Sequence, residues 1–421
     1  MGRHVSVFAP WSLRQLVDDL AAGREAPEHV RERVLARVAE TEPALRAWVV
    51  PPFAGEGERD AASGPLAGVP MGVKDIIDVA GVPTRCGSAL RDDAPPAAVD
   101  AEIVSRWRAA GALPVGKTVT TEFAFFAPGP TGNPAAPGHT PGGSSSGSAA
   151  AVASGQVPLA IGSQTAGSVT RPASFCGVAA LVLSTGRVGT GGVVGLSHTL
   201  DAHGVYAARV DDLAVAWEAL GGERVEPAAQ PLRVLVWRAD EFDVDPGMRA
   251  ALASAADALR AGGAVVDELP IADAVAAAAT RHPVVMAYEA ARERAAELAA
   301  ADRLSTPLRD LLQRGAATPA ADYEAALEAL AETKAEVQGL WAEWDVVLGP
   351  AALGAAPAGL GATGDPVLSR PWQAWGLPVV TIPGLRDADG LPLGLQAVGR
   401  PCGESALIAA AQRVEELLPA S

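Results

Sequence analysis

A glycine- and serine-rich run at residues 142–148, GGSSSGS, restricts the possible folds and functions of this chain more than any other segment. Flexible linkers of this composition usually lead into polar sequence, whereas this run continues into AAAVASGQVPLAIG, which is typical of an apolar helix and then a strand. A second turn of small residues, 165–168, follows that strand. A backbone without bulky side chains can surround a reacting atom closely, and serine hydroxyls can attack it or transfer a proton. The two segments therefore fit either ordinary buried turns or a catalytic loop.

A lysine upstream, Lys74 in the segment GVPMGVKDIIDVAG, lies within an apolar stretch. Lysines are rarely buried without a partner, and removal from water lowers the pKa of the amine towards the neutral form that accepts a proton. A lone lysine in such a stretch usually extends its amine to solvent. Together with the serine-rich loop, Lys74 becomes a candidate base.

In this order, Lys74, the GGSSSGS loop and the segment GSQTAGSVTRPASFCG resemble the amidase signature family of serine hydrolases. The resemblance extends from the N-terminal helices to GLPLGLQAVGRPCGE near the end of the chain. It implies that Ser168 is the nucleophile, Ser144 the bridging serine and Lys74 the base. It also implies a cis peptide bond between Gly143 and Ser144.

The chemistry of amide hydrolysis fits these residues, because an amide needs an activated nucleophile, an oxyanion site and an acid for the leaving nitrogen. Ser168 would attack, and its proton would pass through Ser144 to neutral Lys74. The tight turn would supply an oxyanion hole from the backbone N–H groups of Thr165, Ala166, Gly167 and Ser168. Further contacts with the substrate are expected from Gly142, Gly143, Ser145 and Gln164.

Several positions depart from the family pattern. Gln164 replaces a common aspartate and should keep a hydrogen-bonding role without charge. Ala166 replaces a glycine and would be strained if its φ were positive. Ser146 stands where glycine is frequent, and residues 182–184 read Val-Leu-Ser instead of Lys-Pro-Thr. Arg171 has two open interpretations: an internal ion pair that supports the loop, or contact with an anionic substrate.

Other kinds of site find less support. None of the six histidines lies in a G-x-S-x-G nucleophile elbow, and for His139, just before the serine loop, a loop hydrogen bond is the preferred role over catalysis. The three cysteines have no metal-ligand spacing, and their odd number argues against a disulfide framework. We therefore expect no metal, no cofactor and three reduced structural thiols, which suits a cytoplasmic enzyme.

The expected fold is α/β: a large mixed, mostly parallel twisted sheet covered on both faces by helices. Short apolar runs alternate with helical periods through the first half of the chain, which is typical of βαβ units. The family resemblance implies a single domain over 1–421. It has an N-terminal helical lead at 1–55 and a helical region at 245–345 that shapes the substrate cavity. Aromatic residues could form a wall of that cavity, although such spacing is more typical of a core; they are Phe123, Phe125, Phe126, Trp372 and Trp375.

The net charge of −16 and the lack of a basic stripe argue against nucleic acid or an anionic membrane as partner. We expect a cytoplasmic amide hydrolase with a small-molecule amide or ureide as substrate, and a homodimer is compatible with this interpretation. Two alternatives stay open: an amidotransferase-type glutaminase subunit or an acyl transferase that uses an amine acceptor, and a degenerate scaffold without chemistry. Retention of Lys74, Ser144 and Ser168 argues against the scaffold.

Overall fold

The chain forms one large sheet with helices packed against it, described for residues 7–52 and 63–419 of a computed structural model. The strands are β1 Trp48–Val50, β2 Pro70–Lys74, β3 Leu113–Thr118, β4 Leu159–Gln164, β5 Ala179–Val182, β6 Ala202–Ala207, β7 Arg233–Val236, β8 Val265–Glu268, β9 Val346–Pro350, β10 Val379–Arg386 and β11 Pro392–Val398. The helices are α1 Leu13–Ala21, α2 Pro27–Leu45, α3 Glu102–Ala109, α4 Ser146–Ala153, α5 Thr170–Cys176, α6 Val210–Ala219, α7 Pro246–Ala261, α8 Ala272–Glu293, α9 Ala295–Leu298, α10 Thr306–Ala317, α11 Ala320–Leu340, α12 Arg370–Ala374 and α13 Glu404–Leu417.

The sheet is mixed, with the strand order β1-β3-β2-β4-β6-β5-β10-β11-β9-β7-β8. Parallel pairs join β3, β2 and β4 on one side and β9, β7 and β8 on the other. The pairs between β4 and β9 are all antiparallel, as is β1 with β3. The α/β class is therefore confirmed, but the expectation of a mostly parallel sheet is wrong for the described strands.

The central strands of the sheet, from β4 to β9 in the strand order, pair antiparallel for two reasons that the local sequence pattern does not show. Strands β4 and β5 flank α5 in the chain, as in a βαβ unit, but β6 is inserted between them and runs antiparallel to both. Strands β10 and β11 form a hairpin across the short connection 387–391. A hairpin needs only a tight turn, whereas a parallel pair needs a long crossover.

The two regions that were expected to be helical differ in detail from that expectation. The lead contains α1, α2 and the edge strand β1, while residues 1–6 and 53–55 lie outside the described part of the chain. The region 245–345 is formed by α7 to α11 and also contributes β8 to the sheet. Within this region α8 packs against α10 and α11, and it also packs against α12 from later in the chain. No described helix combines the length and apolar character needed to cross a bilayer.

The sheet brings the sequence motifs to one place. Strand β2 ends at Lys74 and its parallel neighbour β4 ends at Gln164, so the segments that follow both strands leave from the same edge. Helix α4 begins at Ser146, within the serine-rich run 142–148, and Gly147 in its first turn allows close contact with the end of β3. A Cβ at Gly147 would lie 2.2 Å from Ala47 O and 2.3 Å from Val119 N. The small residues of this helix therefore let the loop lie deep in the protein.

Two helical glycines give a matched test of the packing of α10 on α8. A Cβ at Gly315 would lie 1.7 Å from Ala287 O, whereas a Cβ at Gly339 in α11 would meet nothing within 4 Å. We expect Gly315→Ala to lower the free energy of unfolding by about 1–3 kcal/mol, because backbone must move. Gly339→Ala should leave it unchanged or raise it by up to about 1 kcal/mol. Urea denaturation measures the free energy of unfolding of both variants. Equal effects would contradict the close contact between Gly315 and the backbone of α8.

Candidate active site

Lys74 is fully buried at the end of β2 and contacts two serine side chains. Its Nζ donates to Ser144 Oγ at 2.6 Å and to Ser163 Oγ at 2.9 Å. Burial lowers the pKa of Lys74 from 10.5 to about 7, and the charge of Asp201 opposes this shift. A considerable fraction of the amine is therefore neutral near pH 7, as a base requires.

The serine loop places Ser144 beside this amine. The peptide bond between Gly143 and Ser144 is cis, which confirms the expectation. Gly142 has a φ of +80°, where a residue with a Cβ would be strained, and a Cβ there would also lie 3.1 Å from the Phe175 ring. Ser144 O accepts a hydrogen bond from Thr121 N at 3.2 Å, which holds the loop against the segment after β3.

Ser168 faces the same small cavity, of about 20 Å³, as Ser144. Its carbonyl oxygen accepts from Ser145 N at 3.3 Å and from Tyr206 Oη at 3.2 Å, so its backbone is held by both neighbouring segments. Its Oγ donates to no protein group in the part of the chain that the structure describes. The contact between Lys74 and Ser144 is thus present, while the role of Ser168 as nucleophile stays a prediction.

The four N–H groups of the turn 165–168 donate to no other group among the residues described, while their role as an oxyanion hole stays a prediction. Ala166 does not have a positive φ, so the glycine that the family uses is not needed here for backbone conformation. A Cβ at Gly167 would lie 2.8 Å from Pro366 Cβ, so this position needs glycine for space. Thr165 O accepts from His282 Nε2 at 2.7 Å, which anchors the start of the turn.

Gln164 is fully buried and supports the segment that carries Ser168. Its Oε1 accepts from the N–H groups of Val169 at 2.9 Å and Thr170 at 3.1 Å, and its Nε2 donates to Gln373 at 3.1 Å. Gln164 therefore has the expected hydrogen-bonding role without a charge.

The four residues expected to bind substrate do not line the cavity next to Ser168; they are Gly142, Gly143, Ser145 and Gln164. Ser145 Oγ donates to Ser163 O at 3.4 Å, which places it behind the loop. Their contact with a substrate stays a prediction. The cavity is lined instead by residues from several segments: Ala124, Phe125, Phe126, Ser144, Thr165, Ala166, Gly167, Ser168, Arg171, Leu196, Met286 and Pro366.

The aromatic residues divide between the cavity and the core. Phe125 and Phe126 line the cavity, and Phe126 has a φ of +38°, which residues with a Cβ rarely adopt. Trp372 and Trp375 are fully buried and contact each other edge to face at 5.7 Å between ring centroids. Met286 of α8 also lines the cavity, and the wider role of the helical region in shaping a substrate cavity stays a prediction.

Ser163 is a polar contact of Lys74 that the sequence interpretation missed. It lies in β4, and its Oγ accepts a hydrogen bond from the amine. The available signal was its position one residue before Gln164, at the end of the strand that leads into the nucleophile turn.

Arg171 is buried beside the serine loop and lines the cavity. Its Nη2 donates to Gly143 O at 2.7 Å and to Thr363 Oγ1 at 3.4 Å. No carboxylate of the described residues lies within 4 Å of the guanidinium, and its Nε and Nη1 have no hydrogen-bond partner there. The expected loop support is therefore present as a hydrogen bond, but the expected ion pair is absent from the described structure.

His139 and the cysteines can be compared with the roles expected for them. His139 Nδ1 lies 3.3 Å from Pro137 O, which matches the expected loop hydrogen bond. No group of three or more metal-ligating side chains is found in the described ranges. The three cysteines are free thiols, of which Cys86 and Cys176 are buried and Cys402 is exposed, so a structural packing role does not apply to Cys402.

Comparison with known proteins identifies the family of the chain. The family model described as Amidase matches residues 53–408. The 1-carboxybiuret hydrolase subunit AtzE of Pseudomonas sp. (strain ADP) is 33% identical, over 96% of this chain and 97% of its own. A glutamyl-tRNA(Gln) amidotransferase subunit of Synechococcus sp. (strain WH7803) is 31% identical, over 97% and 96%. The solved 6-aminohexanoate cyclic dimer hydrolase, in complex with its substrate, has a TM-score of 0.85 and 26% identity over 97% of each chain. The chain therefore belongs to the amidase family and is an amide-hydrolysing enzyme.

Proposed function

We propose that this enzyme hydrolyses a small carboxylic amide or ureide through an acyl-Ser168 intermediate. The observation that carries the proposal is the 2.6 Å contact between the buried amine of Lys74 and Ser144 Oγ. A buried lysine with a pKa lowered to about 7 has the protonation behaviour of a general base near neutral pH. Ser168 borders the same cavity as Ser144, and its hydroxyl supports the role of nucleophile because the Thr165 hydroxyl, which also lines the cavity, donates to Asp201.

In the proposed reaction, Ser168 Oγ attacks the carbonyl carbon while its proton passes to Ser144 Oγ and the Ser144 proton passes to Lys74 Nζ. The oxygen of the tetrahedral intermediate accepts hydrogen bonds from the N–H groups of the turn 165–168. Lys74 then returns the proton through Ser144 to the nitrogen, and the C–N bond breaks. Water repeats the sequence on the acyl-enzyme and releases the acid.

We further propose that the substrate carries a carboxylate close to the scissile carbonyl. A buried cation without a carboxylate in direct contact is costly, and Arg171, which the Asp365 charge reaches only from beyond 4 Å, lines the cavity that Ser168 faces. Its guanidinium can bind a carboxylate in a fork-shaped arrangement. The name of the 1-carboxybiuret hydrolase relative, which includes a carboxyl group and a ureide, supports this substrate class.

A glutaminase component of an amidotransferase is the second candidate, favoured by the 31% identical glutamyl-tRNA(Gln) amidotransferase relative. This candidate requires partner subunits that copurify and glutamine-dependent release of ammonia. Activity of the purified single chain on small amides, without activity on glutamine, would exclude it. Product analysis with an added amine separates hydrolysis from acyl transfer.

We also propose a cytoplasmic location, supported by the three free thiols.

Removal of the nucleophile gives the first test. We expect Ser168→Ala to lower kcat by about 10⁴-fold or more and to abolish covalent labelling by a fluorophosphonate. Ammonia release from a panel of amides and ureides measures turnover. Ser154→Ala is the matched control, because the Ser154 hydroxyl donates to Ala151 O at the end of α4, and it should retain both labelling and turnover. Labelling that persists in Ser168→Ala would contradict the assignment.

The pH dependence tests the base. Because the amine must be neutral to accept a proton, kcat/KM should be low below the pKa of Lys74 and should rise with pH through about 7. Lys74→Ala should remove this limb together with the activity, while its circular dichroism stays that of the wild type. A profile that is flat from mildly acidic to mildly basic pH would point to another base.

The role of Arg171 is tested with a pair of substrates, a dicarboxylic acid monoamide and its methyl ester, with ammonia release as the readout. Arg171→Met should lower kcat/KM for the anionic substrate by about 10²-fold more than for the ester, since a buried charge pair is lost only with the former. An equal loss with both substrates would mean that Arg171 only holds Gly143 O.

A further inference from the structure

Asp201 lies next to the oxyanion turn although it is distant from it in sequence. It directly precedes β6, and the antiparallel register of β4 and β6 pairs Gln164 with Ala202. This register places Asp201 beside Thr165, the residue after β4. Thr165 Oγ1 donates a short hydrogen bond to Asp201 Oδ1, so the carboxylate holds the first residue of the turn.

The second oxygen of the same carboxylate holds the opposite wall of the cavity. Asp201 Oδ2 accepts from Leu196 N at 2.8 Å and from Ser197 N at 3.1 Å. A Cβ at Gly195 would lie 2.5 Å from this oxygen, so a bare backbone permits the approach. Leu196 lines the cavity together with Ser144 and Ser168. One carboxylate therefore joins the oxyanion turn to the facing segment.

Asp201 is also close to the amine of Lys74. Lys74 Nζ donates to Ser163 Oγ, and Ser163 and Asp201 line the same small cavity of about 10 Å³. The Asp201 charge raises the pKa of Lys74 and so opposes the effect of burial. Burial raises the pKa of Asp201 itself, and the donated hydrogen bonds together with the Lys74 charge oppose that rise.

Two charged side chains lie near this centre besides Asp201 and Lys74. Arg171, whose pKa burial lowers only to about 10, lines the cavity that Ser168 faces. The buried Glu289 accepts hydrogen bonds from Ser197 Oγ and from Thr199.

The remaining ionisable groups around this centre are neutral or paired near pH 7. Burial raises the pKa of the Cys86 thiol to about 12 and lowers the pKa of His282 to about 4, so both are neutral. His203, which lines the cavity with Asp201, also has its pKa lowered by burial. Asp75, which directly follows β2, and Lys117 of β3 form an ion pair at 2.9 Å and compensate each other.

We propose that Asp201 is a positioning residue of the catalytic centre, whose carboxylate orients the oxyanion turn through Thr165 and supplies the negative charge that stabilises the Lys74 ammonium. This inference rests on the proposed role of Lys74 as base. It assigns two separable effects to one side chain. The hydrogen bond governs the rate at every pH, and the charge governs the pH at which Lys74 loses its proton.

Two variants separate the hydrogen bond from the charge. In Asp201→Asn the charge is lost, so the acid limb of kcat/KM should move to lower pH. In Thr165→Val the carboxylate remains but loses the hydroxyl, so kcat should fall about 10-fold or more across the whole pH range while the acid limb stays at its wild-type position. The measurement is a full pH profile of each variant with one amide substrate, together with a thermal melt that reports on folding.

The outcomes distinguish this inference from the proposed function. A wild-type profile without an acid limb would contradict the role of Lys74 itself. A wild-type limb that does not move in a folded Asp201→Asn would overturn the role of Asp201 alone. If Asp201→Asn does not fold, the result for Thr165→Val decides. A wild-type kcat in Thr165→Val, or an acid limb of kcat/KM that shifts in this variant, would overturn the inference. Asp201→Glu keeps the negative charge but moves the carboxylate by one methylene group. Its acid limb of kcat/KM should therefore lie at the wild-type pH, while its kcat should be lower.

Discussion

The removal of the Lys74 amine from water is the constraint around which the site is built. The amine lies at the end of a buried strand, and its hydrogen-bond partners are serine oxygens instead of a carboxylate. An ion pair in direct contact would have favoured the charged form and raised the pKa. Hydroxyl partners satisfy the amine without doing so, and this leaves a lysine that can exchange a proton near neutral pH.

The backbone around this lysine depends on close approaches that side chains would prevent. Gly147 lies against Ala47 O and Val119 N, and Gly167 lies against Pro366. Parallel pairing of β2 with β4 then brings the ends of two strands to the same edge, as in other α/β proteins whose sites follow the carboxyl ends of strands. The small residues are thus needed for both the depth of the loop and its proximity to the amine.

Charge near the cavity is distributed between groups with different roles. Arg171 contributes a buried cation that has a backbone carbonyl as its nearest partner, and Asp201 contributes an anion fixed by three hydrogen bonds. Gln164 supports the nucleophile segment without adding a second anion. Charges interact strongly where water is excluded, because they are weakly screened there. Since few of the described charged groups lie near the cavity, each of them has a large effect on the electrostatic field at Lys74.

The sequence alone determined the family, the α/β class and the identity of Lys74, Ser144 and Ser168 as site candidates, because these depend on local patterns of small, apolar and hydroxyl residues. It also indicated the cis bond before Ser144. Only the tertiary structure decided which strands pair, since the insertion of β6 between β4 and β5 is a long-range choice that no local periodicity records. That pairing in turn placed Asp201 beside Thr165, a contact between residues that are remote in the chain.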